Sequence, residues 1–250
     1  MSKIEKKFFL SALIVIILFI SFITPVIAQD EEEDIPEPVI VTPGKNGKPP
    51  SDAIILFDRD TLINFVSVAS GGPAEWVVSG KKFTVKPGAR SIRTKQYFGD
   101  CQLHIEWKTP KKDVREGKTD QQCGNSGIYF MSNYEIQVLN SYENETYPTG
   151  QAGAFYENFP PLVNASLEPG KWQIFDIIFI APKFNASEEL LKPGYFTVFH
   201  NGVLVLNHVE ITKPTRAHSN EYSLAEPELP LMLQDHSSEV SYRNIWIRKL

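Results

Sequence analysis

From Cys101 to Lys108 polar and apolar residues alternate without a break. Leu103, Ile105 and Trp107 fall on one side, and Gln102, His104, Glu106 and Lys108 on the other. A period of two is the signature of a strand with one face on a core and one face polar. The pattern returns at 134–139, where Tyr134, Ile136 and Val138 oppose Glu135 and Gln137. The run before it, 125–131, is joined to it by Ser132-Asn133, which reads as a hairpin turn. Near the end of the chain Leu231 and Leu233 oppose Met232, Gln234 and His236.

Other short strand-like runs are bounded by Gly, Pro and Asn. They fall at 53–57, 75–78, 82–85, 91–94, 172–180, 195–200, 203–207 and 242–248, with Asn201-Gly202 as a two-residue hairpin turn. Only Ala186 to Leu191 hints at a helical turn. The stretch from Asn140 to Pro169 has no periodicity, yet its aromatic residues suit an ordered, folded-over loop. Many short strands with turn residues between them argue for an all-β sandwich, and strands with a polar outer face suit a sheet open to solvent on one side.

The N-terminal part is not fold. Residues 1–28 read as a signal peptide: Lys3, Lys6 and Lys7, then an apolar run, then Val26-Ile27-Ala28 as the cleavage site. An uncleaved anchor is the alternative reading, and the one route to a membrane. Residues 29–52, acidic and then rich in Pro and Gly, read as a disordered tether. That leaves 53–250 as the domain, and the expected location is secreted or periplasmic. A net charge of -5 carries no nucleic-acid footprint. Cys101 and Cys123 stand at opposite ends of their strands, so free thiols are expected, and no Cys/His spacing matches a zinc site.

Several motifs occur in a telling order. They are Leu56-Phe57-Asp58, Phe98-Gly99-Asp100, Asn125-Ser126-Gly127-Ile128, Tyr134-Glu135-Ile136-Gln137-Val138-Leu139 and Gly150-Gln151-Ala152-Gly153-Ala154. Pro169-Gly170-Lys171-Trp172, His200-Asn201-Gly202-Val203, Leu233-Gln234-Asp235-His236 and Tyr242-Arg243-Asn244-Ile245-Trp246 follow. This set resembles the exported bacterial 3-keto-disaccharide hydrolase domain, over essentially all of 53–250. The resemblance implies a concanavalin A-like jelly-roll sandwich with a concave ligand-binding sheet. It also implies an oxidised sugar or glycoside as substrate, and an upstream sugar oxidoreductase as the partner that makes it. Arg59, Cys101 and Ser237 depart from the family pattern, the last beside a proposed site residue.

A ketone at C3 of a sugar acidifies the C2 proton, so a base can remove it and the enolate can expel the glycosidic oxygen. Such a site needs a base of near-neutral pKa, donors or a cation for the enolate oxygen, and an acid for the leaving group. If the strands carrying them are neighbours, His104, Glu106, Glu135, Gln137, Gln234 and His236 converge on one face. Glu135 and His236 are the candidate bases, with Glu106 a third candidate catalytic group. His104, Gln137 and Gln234 are candidates for holding hydroxyls, and Arg93 or Arg243 for the enolate. Tyr129, Tyr156 and Trp172 are candidates for stacking on a sugar ring. Glu135, Glu106 and His236 are also the candidate ligands of one divalent ion. A conventional glycosidase needs two carboxylates about 5 to 9.5 Å apart, and Gln137 stands where the second would be. A non-catalytic carbohydrate-binding module of the same fold is the competing reading.

Overall fold

The computed structural model describes residues 37–45, 47–111, 120–215 and 222–250. The expected signal peptide and the acidic start of the tether lie outside them. Residues 37–40 are exposed coil. Val41 to Leu250 form a compact unit. Among the described residues no helix is long and apolar enough to cross a membrane.

The strands are β1 (Ile54–Phe57), β2 (Phe65–Ser67), β3 (Val77–Ser79), β4 (Lys82–Thr84), β5 (Ile92–Phe98), β6 (Cys101–Lys108), β7 (Ser126–Phe130) and β8 (Tyr134–Val138). β9 (Gln173–Ile180), β10 (Lys183–Phe184), β11 (Leu190–Lys192), β12 (Gly194–His200), β13 (Val203–Ile211), β14 (Leu229–Leu233) and β15 (Ser241–Lys249) follow. The larger sheet runs β13-β12-β9-β6-β15-β4-β3, with β1 also paired to β15. The smaller sheet runs β2-β5-β14-β7-β8. All the pairings are antiparallel, as short strands joined by tight turns require.

The alternating residues seal the two layers together. Leu103, Ile105 and Trp107 of β6 and Ile136 and Val138 of β8 are fully buried in one apolar cluster. Phe130 of the smaller sheet meets Phe179 and Phe196 of the larger one, with ring centroids 4.9 and 5.3 Å apart. Tyr242 of β15 also crosses the core, and its hydroxyl donates to Ser126 Oγ at 2.7 Å. Cys101 and Cys123 are both buried, and among the described residues no disulfide joins them.

Two local expectations are corrected. Ala186 to Leu191 is not a helical turn but part of the β10–β11 hairpin. The Asn185 side chain accepts from the amides of Ser187 and Glu189, a local turn that competes with a helix. The β7–β8 turn also includes Met131, since Phe130 pairs directly with Tyr134. The loop after β8 is ordered, as its aromatic content suggests. It folds back along the free edge of β8, which exchanges backbone hydrogen bonds with Gly153, Ala154 and Tyr156.

Candidate active site

On the smaller sheet the register sets out two rows of outward side chains. In the first, Arg93, Met232, Tyr129 and Glu135 lie opposite one another across β5, β14, β7 and β8. In the second, Gly127 faces Gln137, and Gln234 donates its backbone N–H to the Gly127 carbonyl. Gly127 is the gap around which the others gather. A Cβ there would run into Glu135 Oε1 and come within 2.7 Å of the Tyr129 ring, so the Glu135 carboxylate occupies the space that a side chain would fill. Gln234 Nε2 donates to the Tyr129 hydroxyl at 3.2 Å, and Tyr129 in turn hydrogen-bonds Glu135. The Glu135 backbone is fixed from outside the sheet, its N–H donating to Thr215 Oγ1 at 2.9 Å.

Glu135 is only 3% exposed. Burial lifts its carboxyl pKa to about 8, with the hydrogen bond from Tyr129 opposing the rise and the charge of Glu157 adding to it. A carboxylate with that affinity for protons is a competent base near neutral pH. Burial and the neighbouring carboxylate push Tyr129 well above an ordinary phenol, so it stays a donor. At the rim, the half-buried Tyr156 pairs with the exposed Tyr147, hydroxyl to hydroxyl at 2.7 Å. His236 lies beyond the end of β14 and is exposed. Between it and the strand, Asp235 accepts from the amides of Gly88 and Arg90, which pins the turn.

His104, Glu106 and Arg243 do not join this site. They belong to β6 and β15 of the larger sheet and point from its outer face, on the far side of the sandwich. Alternation assigns a residue to a face of its strand and says nothing about which of two sheets the strand enters. On that far side His104 Nδ1 lies 2.6 Å from Asp176, and Glu106 is bonded by Arg243 and by Asn244 at 2.8 Å. Burial alone would lower His104, but Asp176 and Glu106 outweigh it and hold the imidazole at about 9. Burial likewise opposes ionisation of Glu106, but His104, Asn244 and Arg243 overcome it and hold the carboxyl at about 2. Trp172, the third stacking candidate, is here too, with the Arg243 guanidinium over its ring at 4.0 Å. Gly47 lies against this face, its carbonyl accepting from Asn244 and Trp246.

The divalent-ion set therefore does not fit one ion. Glu106 and Glu135 face away from each other across two sheets about 10 Å apart. Among the described residues no three His, Cys, Asp or Glu side chains are grouped to hold a metal. Sequence reasoning missed Gln121, whose amide bonds Gln137. It lies in a charged loop with no periodicity, and nothing in its spacing ties it to β8. Gly127 lies in the Asn125-Ser126-Gly127-Ile128 motif, but its role as a space for Glu135 emerges only from the register.

The model of a 3-keto-alpha-glucoside-1,2-lyase-like domain matches residues 52–248. A candidate glycosyl hydrolase from Parabacteroides distasonis is similar at 41% identity and a TM-score of 0.80, over 88% of this chain and 95% of that one. Two further candidate glycosyl hydrolases of that organism share the fold at lower identity. One has 16% identity and a TM-score of 0.57, over 80% of this chain and 94% of its own. The other has 20% and 0.53, over 79% and 99%. No curated protein matches. The family match and the 41% likeness mark a carbohydrate-active protein.

Proposed function

The chain belongs to the 3-keto-alpha-glucoside-1,2-lyase-like domain family, and from that premise we propose that it cleaves 3-keto-glycosides by removing the C2 proton and eliminating the aglycone from C1. The observation that carries this reading is the Glu135 carboxylate, buried over Gly127 with its pKa raised to about 8. As base, Glu135 takes the C2 proton and becomes a neutral acid. The electron pair passes to the C3 oxygen as an enolate, then returns to form the C1–C2 double bond as the C1–O bond breaks. The departing oxygen takes a proton, either the one Glu135 has gained or one from His236, exposed just beyond the end of β14. Addition of water to the unsaturated ketone turns the net change into a hydrolysis.

The other residues suit the supporting roles. Tyr129 is a neutral donor bonded to the base, and Gln234 holds its hydroxyl in place. Arg93, in the row of Glu135, is the cation for the enolate oxygen. Tyr156, with Tyr147 beside it, offers a ring surface at the rim for the apolar side of a pyranose.

The test is incubation with an aryl 3-keto-glucoside, following aglycone release and the absorbance of the unsaturated ketone. The keto-glucoside is expected to be cleaved and the ordinary glucoside to be inert. Glu135→Gln is expected to lower kcat by about 10²- to 10⁴-fold, the usual worth of a general base. Binding of the keto-glucoside without cleavage would replace this reading with that of a binding module.

A further inference from the structure

Gln137 is 1% exposed and stands beside Glu135 on the outer face of the smaller sheet. Its Nε2 donates to Gln121 Oε1 at 2.8 Å. Its Oε1 is buried and has no hydrogen-bond partner among the described residues. An amide can be turned over, so the arrangement is meaningful only if something fixes which end points where.

Gln121 fixes it. Its own Nε2 donates to the Gly150 carbonyl at 2.9 Å and to Thr146 Oγ1 at 2.9 Å. A backbone carbonyl only accepts, so that end of Gln121 must be the NH₂. Gln121 Oε1 is therefore the end that faces Gln137. Asn125 confirms the direction, since its Nδ2 donates to the Gln121 carbonyl at 2.7 Å and lies 3.3 Å from the same Oε1. Turning Gln137 over would set two carbonyl oxygens 2.8 Å apart. Gly150 lets this happen: a Cβ there would sit 2.5 Å from Gln121 Nε2.

The Gly150 carbonyl thus dictates, through two amides, that Gln137 presents an acceptor. A buried acceptor held without a partner is costly, and a bound group that donates to it recovers that cost. We propose that Gln137 Oε1 is a specificity-determining acceptor for one hydroxyl of the sugar bound over Gly127, and that Gln121 is the positioning residue that keeps Gln137 from offering its NH₂ instead. The proposal rests on the saccharide reading of this face and deepens it. The site demands an O–H donor at one ring position and rejects an acceptor there, whether fluorine or the carboxylate of a uronic acid.

The full chain with Glu135→Gln binds uncleaved ligand, which separates recognition from turnover. Its affinity is measured by calorimetry for the 3-keto-glucoside and for its 2-, 4- and 6-deoxyfluoro analogues. One analogue is expected to bind about 10- to 100-fold more weakly than the parent, the worth of one buried hydrogen bond. Adding Gln121→Met, which frees the Gln137 amide to turn, should shrink that ratio to within about threefold, as should Gln137→Met. A residue that merely supported the loop would weaken all the ligands alike and leave the ratio unchanged. Analogues that all bind within twofold of the parent would overturn the proposal, as would a ratio that survives Gln121→Met. Failure of the unsubstituted chain to cleave the keto-glucoside, with the ratio intact, would instead count against the elimination chemistry alone.

Discussion

Glu135 has the pKa of a base because of what surrounds it, and each neighbour acts in a stated direction. Burial is the largest influence and raises it, the Tyr129 hydrogen bond lowers it, and Glu157 raises it. With Glu135 as base, kcat should rise with pH and level off above about 8. Tyr129→Phe removes a donor that favours the carboxylate, so the midpoint of that rise should move up. Glu157→Gln removes a nearby negative charge, so it should move down. A pH–rate series on the three proteins reads both shifts, and midpoints that move together would show that another group titrates. Gly127 tests the geometry of the same site. In Gly127→Ala the new methyl collides with the Glu135 carboxylate and the Tyr129 ring. A displacement of about 1 Å at the reacting group should cost roughly 10²-fold in kcat/KM, and the overpacking should cost about 1–3 kcal/mol of stability. Retained kcat/KM in a stably folded Gly127→Ala protein would mean that the Glu135 position over Gly127 is not the reactive one.

Among the strands, β6 and β8 show what could and could not be read in the chain. Both alternate, and both bury the residues expected: Leu103, Ile105 and Trp107 in one, Tyr134, Ile136 and Val138 in the other. Their polar faces look alike in sequence, each with a glutamate two positions from a second polar residue. Partner strands make the difference. β6 is flanked by β9 and β15, which bring Asp176, Arg243 and Asn244 against its His104 and Glu106. β8 lies at an edge, where the loop after it hydrogen-bonds to the backbone of Glu135 and Gln137 and a glycine on β7 makes room for the Glu135 carboxylate. Long-range partners of this kind leave no local mark. The β15 register breaks between Arg243 and Trp246, and Asn244 at the break has φ +45°. That bulge lets Arg243 and Asn244 both reach Glu106. The β6 cluster is accordingly expected to hold the far face together rather than to carry the chemistry. Glu106→Gln should cost about 2 kcal/mol, less than a fully buried pair because Arg243 is partly exposed. For a domain of this size that is a drop of roughly 4–8 °C in Tm, with kcat on the keto-glucoside retained in the folded protein. A large loss of kcat at unchanged Tm would return Glu106 to the chemistry.

Across the whole molecule, Glu135 in the site and three groups of the larger sheet, His104, Glu106 and His200, together set the pH at which the fold is most stable. The folded chain holds Glu106 at about 2 and His200 at about 4, the latter because burial disfavours its charge. Both contribute stability that is lost in acid, Glu106 as pH falls through its window below 4.5 and His200 as pH falls from 6.5 to 4. Glu135 and His104 act the other way. The folded chain binds a proton more tightly than the unfolded chain at Glu135 between pH 4.5 and 8, and at His104 between 6.5 and 9. Stability from each is present below its window and is lost as pH rises through it. From pH 4.5 to 6.5 the fall at Glu135 and the rise at His200 offset each other, so Tm should hold a plateau. From 6.5 to 8 Glu135 and His104 fall together, at up to about 1.4 kcal/mol per pH unit for each proton. Glu135→Gln should halve that alkaline slope and replace the plateau with a rise toward pH 6.5, because His200 is then unopposed. Thermal melts of the two proteins across pH 4.5 to 9 check both features. An alkaline slope unaffected by Glu135→Gln would mean that Glu135 is already ionised in the folded protein at pH 6.5. The predicted shape also carries a conflict: the proposed base, Glu135, is more than half charged only above about pH 8, where the fold that buries it is losing stability. Bound substrate is expected to ease that conflict, since a ligand that binds only the folded chain raises Tm by mass action. The keto-glucoside should therefore raise the Tm of Glu135→Gln at every pH, because that variant holds the ligand without consuming it.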